Sequence, residues 1–463
     1  TRRSSDLTSV SDNDVFKTVQ GAQAALNGCY YQINSGSGGS GRQDDWGYPT
    51  HQMTFDTMGE DIIVWGGWYS YDYNYWGHTR ADIFKSSAMW TYYYRLINNV
   101  NSVIKYTPEA VGDQASRDHI TGQALAMRGW AYFHLIRLYQ QTYSIAQNMP
   151  GVPLYLEPTT DQTDGLPRGT VQEVYNQIEQ DLLKAEDLLT GFERGARKNK
   201  INKSVTQGVL AQVYLTMNRW NLAAEYAAKA RQGFPLTSNN DYLAGFNDLN
   251  TPSWMWGIAP TKDQNMGDYS PFAMWTNWTR KGFTFQCFFL ADSFVELFNS
   301  EDVRATQIVE TWGIIKYSYK FRDNDELLGN SVFMRSDEML LIEAEVLARQ
   351  GKEIEAKDLL WTLQDKRLAN RSESTGDQLI EDILIERRKE LYGEGHAILD
   401  IIRNEKPLVR TGNHVGYNGH KPFPARSWRF IFQIPISEIV NNKALVDGIW
   451  PAGDQNPFDG VYN

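Results

Sequence analysis

The residues best suited to chemistry in this sequence are aromatic. Trp65-Gly-Gly-Trp-Tyr-Ser-Tyr-Asp-Tyr-Asn-Tyr-Trp76 holds seven aromatics in twelve positions. Tyr69, Tyr71, Tyr73 and Tyr75 alternate with Ser70, Asp72 and Asn74. If the segment is extended, the tyrosines share one face, because strand side chains alternate. Gly66 and Gly67 let the backbone turn sharply. A second cluster, Asp268-Tyr-Ser-Pro-Phe-Ala-Met-Trp-Thr-Asn-Trp-Thr-Arg280, sets Trp275 and Trp278 on either side of Asn277. A third, Gly38-Gly-Ser-Gly-Arg-Gln-Asp-Asp-Trp46, reads as a glycine-rich loop tipped by polar groups.

Sugars fit this chemistry. A pyranose offers C–H groups on one face and hydroxyls around its rim. A Trp or Tyr ring covers the C–H face and removes apolar area from water, while amides and carboxylates at the margin exchange hydrogen bonds with the hydroxyls. The expected stacking residues are Trp65, Trp68, Tyr71, Tyr73, Trp76, Trp275 and Trp278. Asp45, Asn74 and Asn277 are the expected hydroxyl partners. Packing of the loops onto helices competes with this reading for any single ring. Alternation with polar residues and glycine favours binding for the cluster as a whole.

Catalytic chemistry is weakly marked. A glycoside hydrolase needs two carboxylates roughly 5–10 Å apart. Asp44-Asp45, Glu60-Asp61 and Asp72 lie near the aromatic loops, but nothing marks a pair. Glu386-Arg-Arg-Lys-Glu390, followed by Glu394-Gly-His396, is the densest charged motif. It reads as an acid–base or metal site, or as a salt-bridged packing surface; Arg387 and Arg388 can neutralise the carboxylates, which favours the second. There is no GxSxG, P-loop or GxGxxG ahead of a helix. Seven histidines form no HExxH, so neither metal nor cofactor is expected. Cys29 and Cys287 are too few for a disulfide scaffold; two buried free thiols are expected, with one long-range disulfide as the alternative.

The net charge of −11 gives no general attraction to nucleic acid or anionic membrane. No apolar run approaches the roughly 20 residues of a membrane span. The chain begins Thr1-Arg2-Arg3-Ser4 without an initiator Met, from which removal of any signal peptide is expected.

Several stretches have the period of amphipathic helices and must position the loops. These are Val15 to Ile33, Met89 to Ile104, Ala115 to Tyr139, Thr170 to Leu189, Val205 to Met217, Trp220 to Arg231, Asp337 to Gln350, Glu353 to Leu368 and Gly376 to Tyr392. Thr170 and Glu173 fit a capping box. Ala211 to Ala230 and Ala344 to Leu360 resemble each other: a helix ends at Met217-Asn218 or Gln350-Gly351, then a second presents small alanines, as in a tetratricopeptide hairpin. Short strands are expected at Ser253 to Ile258 and Arg429 to Ile434. The expected organisation is one domain over 1–463, with a mainly α scaffold over about 14–34, 86–143, 170–232 and 335–403. A loop-rich ligand face falls over about 35–85 and 233–299, and an irregular C-terminal segment over 404–463.

Taken in order, these motifs resemble the SusD/RagB family of outer-membrane nutrient-binding lipoproteins of Bacteroidetes. Ala124-Leu-Ala-Met-Arg-Gly-Trp-Ala-Tyr-Phe-His-Leu135 is similar to the family's Ala-Arg-aromatic helix, and Gly151-Val-Pro-Leu154 to the segment after it. Arg168-Gly-Thr170 with Asp181-Leu182, Lys203 to Trp220, Arg335 to Glu345 and Ile385 to Gly395 follow in the family's order. Phe432 to Ile439 and Asn456-Pro457 resemble its C-terminal signature. His396, where Arg is commoner, and Phe458, where Gly is usual, depart from it.

The resemblance implies four tetratricopeptide-like hairpins under a loop-rich face, with a few short strands. It implies a non-catalytic glycan-binding protein at the cell surface, held to the outer membrane by a lipid on an N-terminal Cys that this chain lacks. It implies an oligosaccharide or polysaccharide ligand and a SusC-like TonB-dependent transporter as partner. The alternatives are a transporter lid that binds peptides or another nutrient, and a glycoside hydrolase. The implied contact regions are Trp65 to Arg80 and Tyr269 to Arg280.

Overall fold

Amphipathic periodicity sets the scaffold in the computed structural model, which describes residues 15–36, 42–265, 267–275, 287–311, 315–322, 328–416 and 418–446. In chain order its main helices are α1 (Val19–Ile33), α2 (Tyr48–Thr57), α3 (Tyr69–Tyr73), α4 (Phe84–Tyr106), α5 (Gln114–Tyr139), α6 (Val171–Leu188), α7 (Lys203–Thr216) and α8 (Trp220–Arg231). They continue with α9 (Pro271–Trp275), α10 (Ser336–Arg349), α11 (Glu353–Arg367), α12 (Gly376–Leu391), α13 (Ala397–Arg403) and α14 (Ile436–Asn441). Side-chain oxygens cap several starts. Thr18, Asp113 and Asn202 accept from the first turns of α1, α5 and α7, and Thr170 with Glu173 closes the expected capping box on α6.

The long helices stand in a row. α4 packs on α5, α5 on α6, α6 on α7, α7 on α8, α8 on α10, and α10 on α11 and α12. At the α5–α6 joint a Cβ on Gly129 would lie 2.9 Å from Leu182, so only glycine permits that approach. Two motif residues meet in the same joint. The Arg128 guanidinium donates both Nε and Nη2 to the Asp181 carboxylate at 2.7 Å. The two similar hairpins turn in the same way. Asn218 and Gly351 take positive φ, and the next N–H reaches back to a helix carbonyl: Arg219 to Tyr214 and Lys352 to Leu347, both at 2.9 Å.

Strands are short and pair by twos. β1 (Ile62–Val64), β2 (Pro150–Pro153), β3 (Arg168–Thr170), β4 (Trp254–Ile258), β5 (Phe288–Leu290), β6 (Ile308–Thr311), β7 (Ile315–Ser318) and β8 (Ser331–Arg335) form the antiparallel pairs β1–β5, β2–β3, β4–β8 and β6–β7. The strand expected at Ser253 to Ile258 is β4. The one expected at Arg429 to Ile434 is not formed: a 3₁₀ turn spans Trp428–Phe430, and the backbone beyond it bonds singly to separate elements. Phe432 donates to the Leu138 carbonyl at 2.8 Å and Gln433 to that of His78 at 2.9 Å.

The stretch 35–85, expected to be loop-rich, contains α2, every residue of which is buried. Its sequence, Tyr-Pro-Thr-His-Gln-Met-Thr-Phe-Asp-Thr, is too polar to announce a core helix. Specific hydrogen bonds make that burial tolerable. Gln52 Nε2 donates to the Val332 and Glu394 carbonyls at 3.0 and 2.8 Å, and Asp56 accepts from the amides of Gly395 and Ala397 at 2.9 Å.

The charged motif on α12 is a buried ionic network. Glu390 accepts from Arg335 and Arg367 on one oxygen at 2.9 and 2.8 Å, and from Arg304 and Arg367 on the other at 3.0 Å. Glu394 accepts from Arg335 and Lys320, and Lys320 also donates to the Glu390 and Tyr392 carbonyls. Asp302 pairs with Arg304 and Lys389, and Asp337 with Arg335 and Arg367. Burial alone would raise the Glu390 carboxyl, but the guanidinium groups of Arg367 and Arg335 outweigh it and hold it well below the usual carboxylate range. Burial brings the Lys320 ammonium down to about 8.

Cys29 and Cys287 are buried free thiols, and burial pushes each up to about 12. In the folded protein neither should react with an aromatic disulfide reagent near neutral pH, and both should react once urea unfolds the chain. Fast titration of either thiol in the native protein would contradict that burial.

Replacing Glu390 by Gln leaves three guanidinium groups short of their shared anion. Urea unfolding should show a loss of about 3–5 kcal/mol, the cost typical of breaking a buried pair on one side. The pH dependence follows in sign. A carboxyl depressed on folding stabilises fully above its unfolded value, near 4.5, and that contribution is lost as pH falls towards the folded value. The melting temperature of the wild type should therefore drop more steeply below about pH 4.5 than that of Glu390→Gln.

Candidate functional site

Helical periodicity sorts the rings of the Trp65–Trp76 segment. The segment is not extended: Tyr69–Tyr73 form the short helix α3. Alternating tyrosines therefore do not share a face. Residues three and four apart do. Tyr69, Asp72 and Tyr73 turn inward and are buried, while Trp68 and Tyr71 turn outward, 40% and 44% exposed. Their rings stack at 5.9 Å with an interplanar angle of 23°. Trp65, 50% exposed, leans on Phe289 at 5.0 Å and is held by its own N–H on the Cys287 carbonyl at 2.9 Å. Trp76 is 46% exposed.

Two backbone features aim these rings. Gly66 and Gly67 both have positive φ, and a Cβ on Gly67 would lie 2.3 Å from the Gln43 amide nitrogen. At the other end Tyr75 is left-handed, with φ 59°, and the Trp76 N–H returns to the Tyr71 carbonyl at 2.7 Å. That conformation is costly for a tyrosine and persists only where surroundings enforce it. The Tyr75 ring is buried against Phe423 at 4.8 Å, and its hydroxyl donates to the Met58 carbonyl.

The inward tyrosines form the footing. The Tyr69 hydroxyl donates to the Gln43 carbonyl at 3.3 Å. The Tyr73 hydroxyl meets His414 Nδ1 at 2.9 Å and accepts from the Val415 amide at 3.1 Å. The Arg410 guanidinium lies 4.1 Å from the centre of the Tyr73 ring and donates to the carbonyls of Gly59, Tyr73 and Thr57.

Beneath them sits a small ionic cluster. Lys85 Nζ is 3.1 Å from Asp44 and 3.4 Å from Asp72, with all three side chains buried. Arg42 closes on Asp44 through Nε and Nη2 at 2.9 Å and lies over Trp68 at 4.1 Å and Phe84 at 4.3 Å. Burial lifts the Asp72 carboxyl to about 6 against the pull of Lys85. Asp44 is held below its usual range, because Lys85 and Arg42 outweigh the effect of burial.

The structure thus separates the expected site residues. Trp65, Trp68, Tyr71 and Trp76 are partly exposed to solvent. Tyr73 is not, since its ring is part of the footing. Asn74 is buried: its amide donates to the Ser70 carbonyl at 2.8 Å and its oxygen accepts from the Asn418 amide at 3.2 Å. Asp45 is buried too, in a turn closed by its N–H on the Arg42 carbonyl. Trp275 is fully buried, stacked on Phe321 at 5.2 Å and edge-on to Phe288 at 5.4 Å. Phe288 in turn packs on Tyr69 at 5.1 Å, so Trp275 joins the platform from below. Asn277 and Trp278 lie outside the described residues.

Sequence reading did not single out Lys85, Phe289 or Arg42, and took Tyr75 only as one of four alternating tyrosines. A lone lysine at the start of a helix carries no signal for its burial. Arg42-x-Asp44 was the one local hint, because a two-residue spacing suits a bidentate pair. Of the acids near the rings, Asp44 and Asp72 are tied to cations and Asp82 to Arg80. Among the described residues no group of His, Cys, Asp and Glu is placed to hold a metal ion.

Comparison with known proteins supplies the lineage. A SusD-like family model described as starch-binding associating with outer membrane matches residues 11–215, and the SusD family model matches residues 292–457. A SusD-like protein of Bacteroides ovatus is 24% identical over 217 residues, 42% of this chain and 37% of its own length. The chain spans about two fifths of the length of the curated relatives it matches. Among solved structures, a SusD-like carbohydrate binding protein from Bacteroides vulgatus is 28% identical and superimposes with a TM-score of 0.85 over 92% of this chain and 97% of its own. A laminarin binding SusD-like protein, 19% identical, shares the fold at a TM-score of 0.73 over 92% of this chain and 98% of its own. Matched at both ends by family models and sharing this mainly α fold with such relatives, the chain belongs to the SusD/RagB family.

Proposed function

We propose that this chain is a non-catalytic glycan-binding protein whose contact surface is formed by Trp65, Trp68, Tyr71 and Trp76. The observation that carries the reading is the division of one twelve-residue segment into buried rings that anchor and exposed rings that face water. Four large aromatics, each 40–50% exposed within twelve residues, make a dense apolar patch of the kind that marks an interaction surface. The Trp68–Tyr71 pair keeps 40% and 44% of its surface exposed, aromatic area suited to the C–H side of a pyranose. The relatives' names agree in class: one is called carbohydrate binding and another laminarin binding.

On such an aromatic surface each sugar unit contributes modestly, and long chains gain by multiple contact. We read the two matched stretches as parts of one SusD-like domain. Delivery of the bound glycan to a SusC-like TonB-dependent transporter, and attachment at the outer-membrane surface through a lipid, complete the proposal. The outer-membrane association in the family description supports that location. No helix among the described residues is long and apolar enough to cross a membrane.

Calorimetric titration with soluble oligosaccharides tests the surface. Trp68→Ala and Tyr71→Ala should each weaken binding roughly 5- to 30-fold, the ~1–2 kcal/mol scale of one ring face lost from a contact. Incubation with the bound glycan should release no new reducing ends. Unchanged affinity in both variants would remove the assignment, and released reducing ends would make the protein an enzyme.

A further inference from the structure

A cavity of about 350 Å³ opens beside α4, between that helix, the 155–163 loop and α14. It shares no lining residue with the Trp65–Trp76 segment. Its size falls at the small end of ligand pockets, room for roughly one or two pyranose units.

The walls are built and held. Trp90 and Tyr94 lie together on α4 with ring centres 4.7 Å apart, and Tyr155 meets Tyr94 edge-on at 5.9 Å. The loop that carries Tyr155 is fastened to the scaffold. Its carbonyl accepts from Asn101 and Tyr132 at 2.9 Å, and the Thr159 amide and hydroxyl both donate to Asn98 Oδ1. The Tyr94 hydroxyl donates to the Pro153 carbonyl at 2.8 Å. These aromatic walls are therefore fixed in place before any ligand arrives.

Polar groups converge on the same space with capacity to spare. Among the described residues, neither the Thr91 hydroxyl nor the Trp90 indole N–H has a hydrogen-bond partner. One Glu438 oxygen accepts from Asn442 Nδ2 at 2.9 Å, and the other has no partner among the described residues. A donor, a hydroxyl that can do either, and a carboxylate acceptor thus face rings across one small cavity. Arg95 and Glu438 are the charged residues lining it, one of each sign, so the cavity carries no excess charge to select an ion. From this geometry we infer that the cavity is a second binding site, taking a neutral mono- or disaccharide independently of the exposed rings.

Stripes along a helix place it relative to the first surface. Phe84, under Arg42, is seven residues ahead of Thr91 and so on the same face of α4. Phe84 and Thr91 are therefore about 10 Å apart along that helix. The two sites remain separable by mutation.

Fluorine NMR of protein carrying 5-fluorotryptophan reads the two sites at once, with Trp90 assigned by Trp90→Phe and Trp68 by Trp68→Ala. Maltose, cellobiose and lactose serve as probes. At least one should shift the Trp90 resonance saturably. Thr91→Phe, which fills the cavity from a partly exposed position, should abolish that shift, and Glu438→Gln should weaken it roughly three- to tenfold. Trp68→Ala with Tyr71→Ala should leave it unchanged. A Trp90 resonance that no probe moves, or a shift that survives Thr91→Phe, would overturn the second site, since water alone would then fill the cavity. Loss of response at the exposed tryptophans with the Trp90 shift intact would count only against the first surface.

Discussion

One buried carboxylate, Glu390, organises the C-terminal half of the scaffold. Three guanidinium groups reach it from different places: Arg304 from a 3₁₀ turn, Arg335 from the end of β8 and Arg367 from the end of α11. None has exposed side-chain surface. Taking such charges out of water costs several kcal/mol per ion, and only near-complete hydrogen bonding offsets it. The network meets that demand by matching cations with anions. Arg304, Arg335, Arg367, Lys320 and Lys389 stand against Asp302, Asp337, Glu386, Glu390 and Glu394. A charged core of this kind tolerates few alternative packings, because any shift leaves an ion unpaired.

The aromatic surface inherits its position from this network through a short series of contacts. Glu394 is held by Arg335 and Lys320. The next amide, that of Gly395, donates to Asp56 on α2, and Gln52 on the same helix donates back to the Glu394 carbonyl. From α2 the links continue outward. Thr54 donates to Asp72, and Tyr75 donates to the carbonyl of Met58. Asp72 and Tyr75 in turn fix the two residues, Tyr71 and Trp76, that face solvent beside them. Elements far apart in sequence thereby hold a twelve-residue segment in one arrangement.

Most of the scaffold could be read from periodicity because its helices bury one stripe and cap in recognisable ways. Thr170 with Glu173 and the turns at Asn218 and Gly351 follow local rules that need no knowledge of neighbours. α2 escaped because its burial rests on partners such as Val332 and Glu394, which are hundreds of residues away. The charged motif on α12 was legible as packing, yet its arginine partners on other elements were not. For the candidate site, the aromatic segment stood out in the sequence and the orientation of its rings did not. Alternation puts the tyrosines on one face only if the segment is extended. A single turn of helix reassigns Tyr73 and Asn74 to the interior and leaves Tyr71 outside. Trp275 looked identical to the exposed tryptophans in sequence, and only its contacts with Phe321, Phe288 and Tyr392 distinguish it.

The left-handed Tyr75 has a thermodynamic consequence for recognition. A surface loop of glycine, serine and aromatic residues would ordinarily sample many conformations, and a ligand would have to order it on binding. Pinned at Tyr75 on one side and at Gly67 on the other, this segment has already given up that freedom during folding. Association with a flexible polymer then carries the entropy loss of the polymer and little from the protein. On the proposed function, weak contacts made one sugar at a time would accumulate on such a surface without a conformational toll at each step.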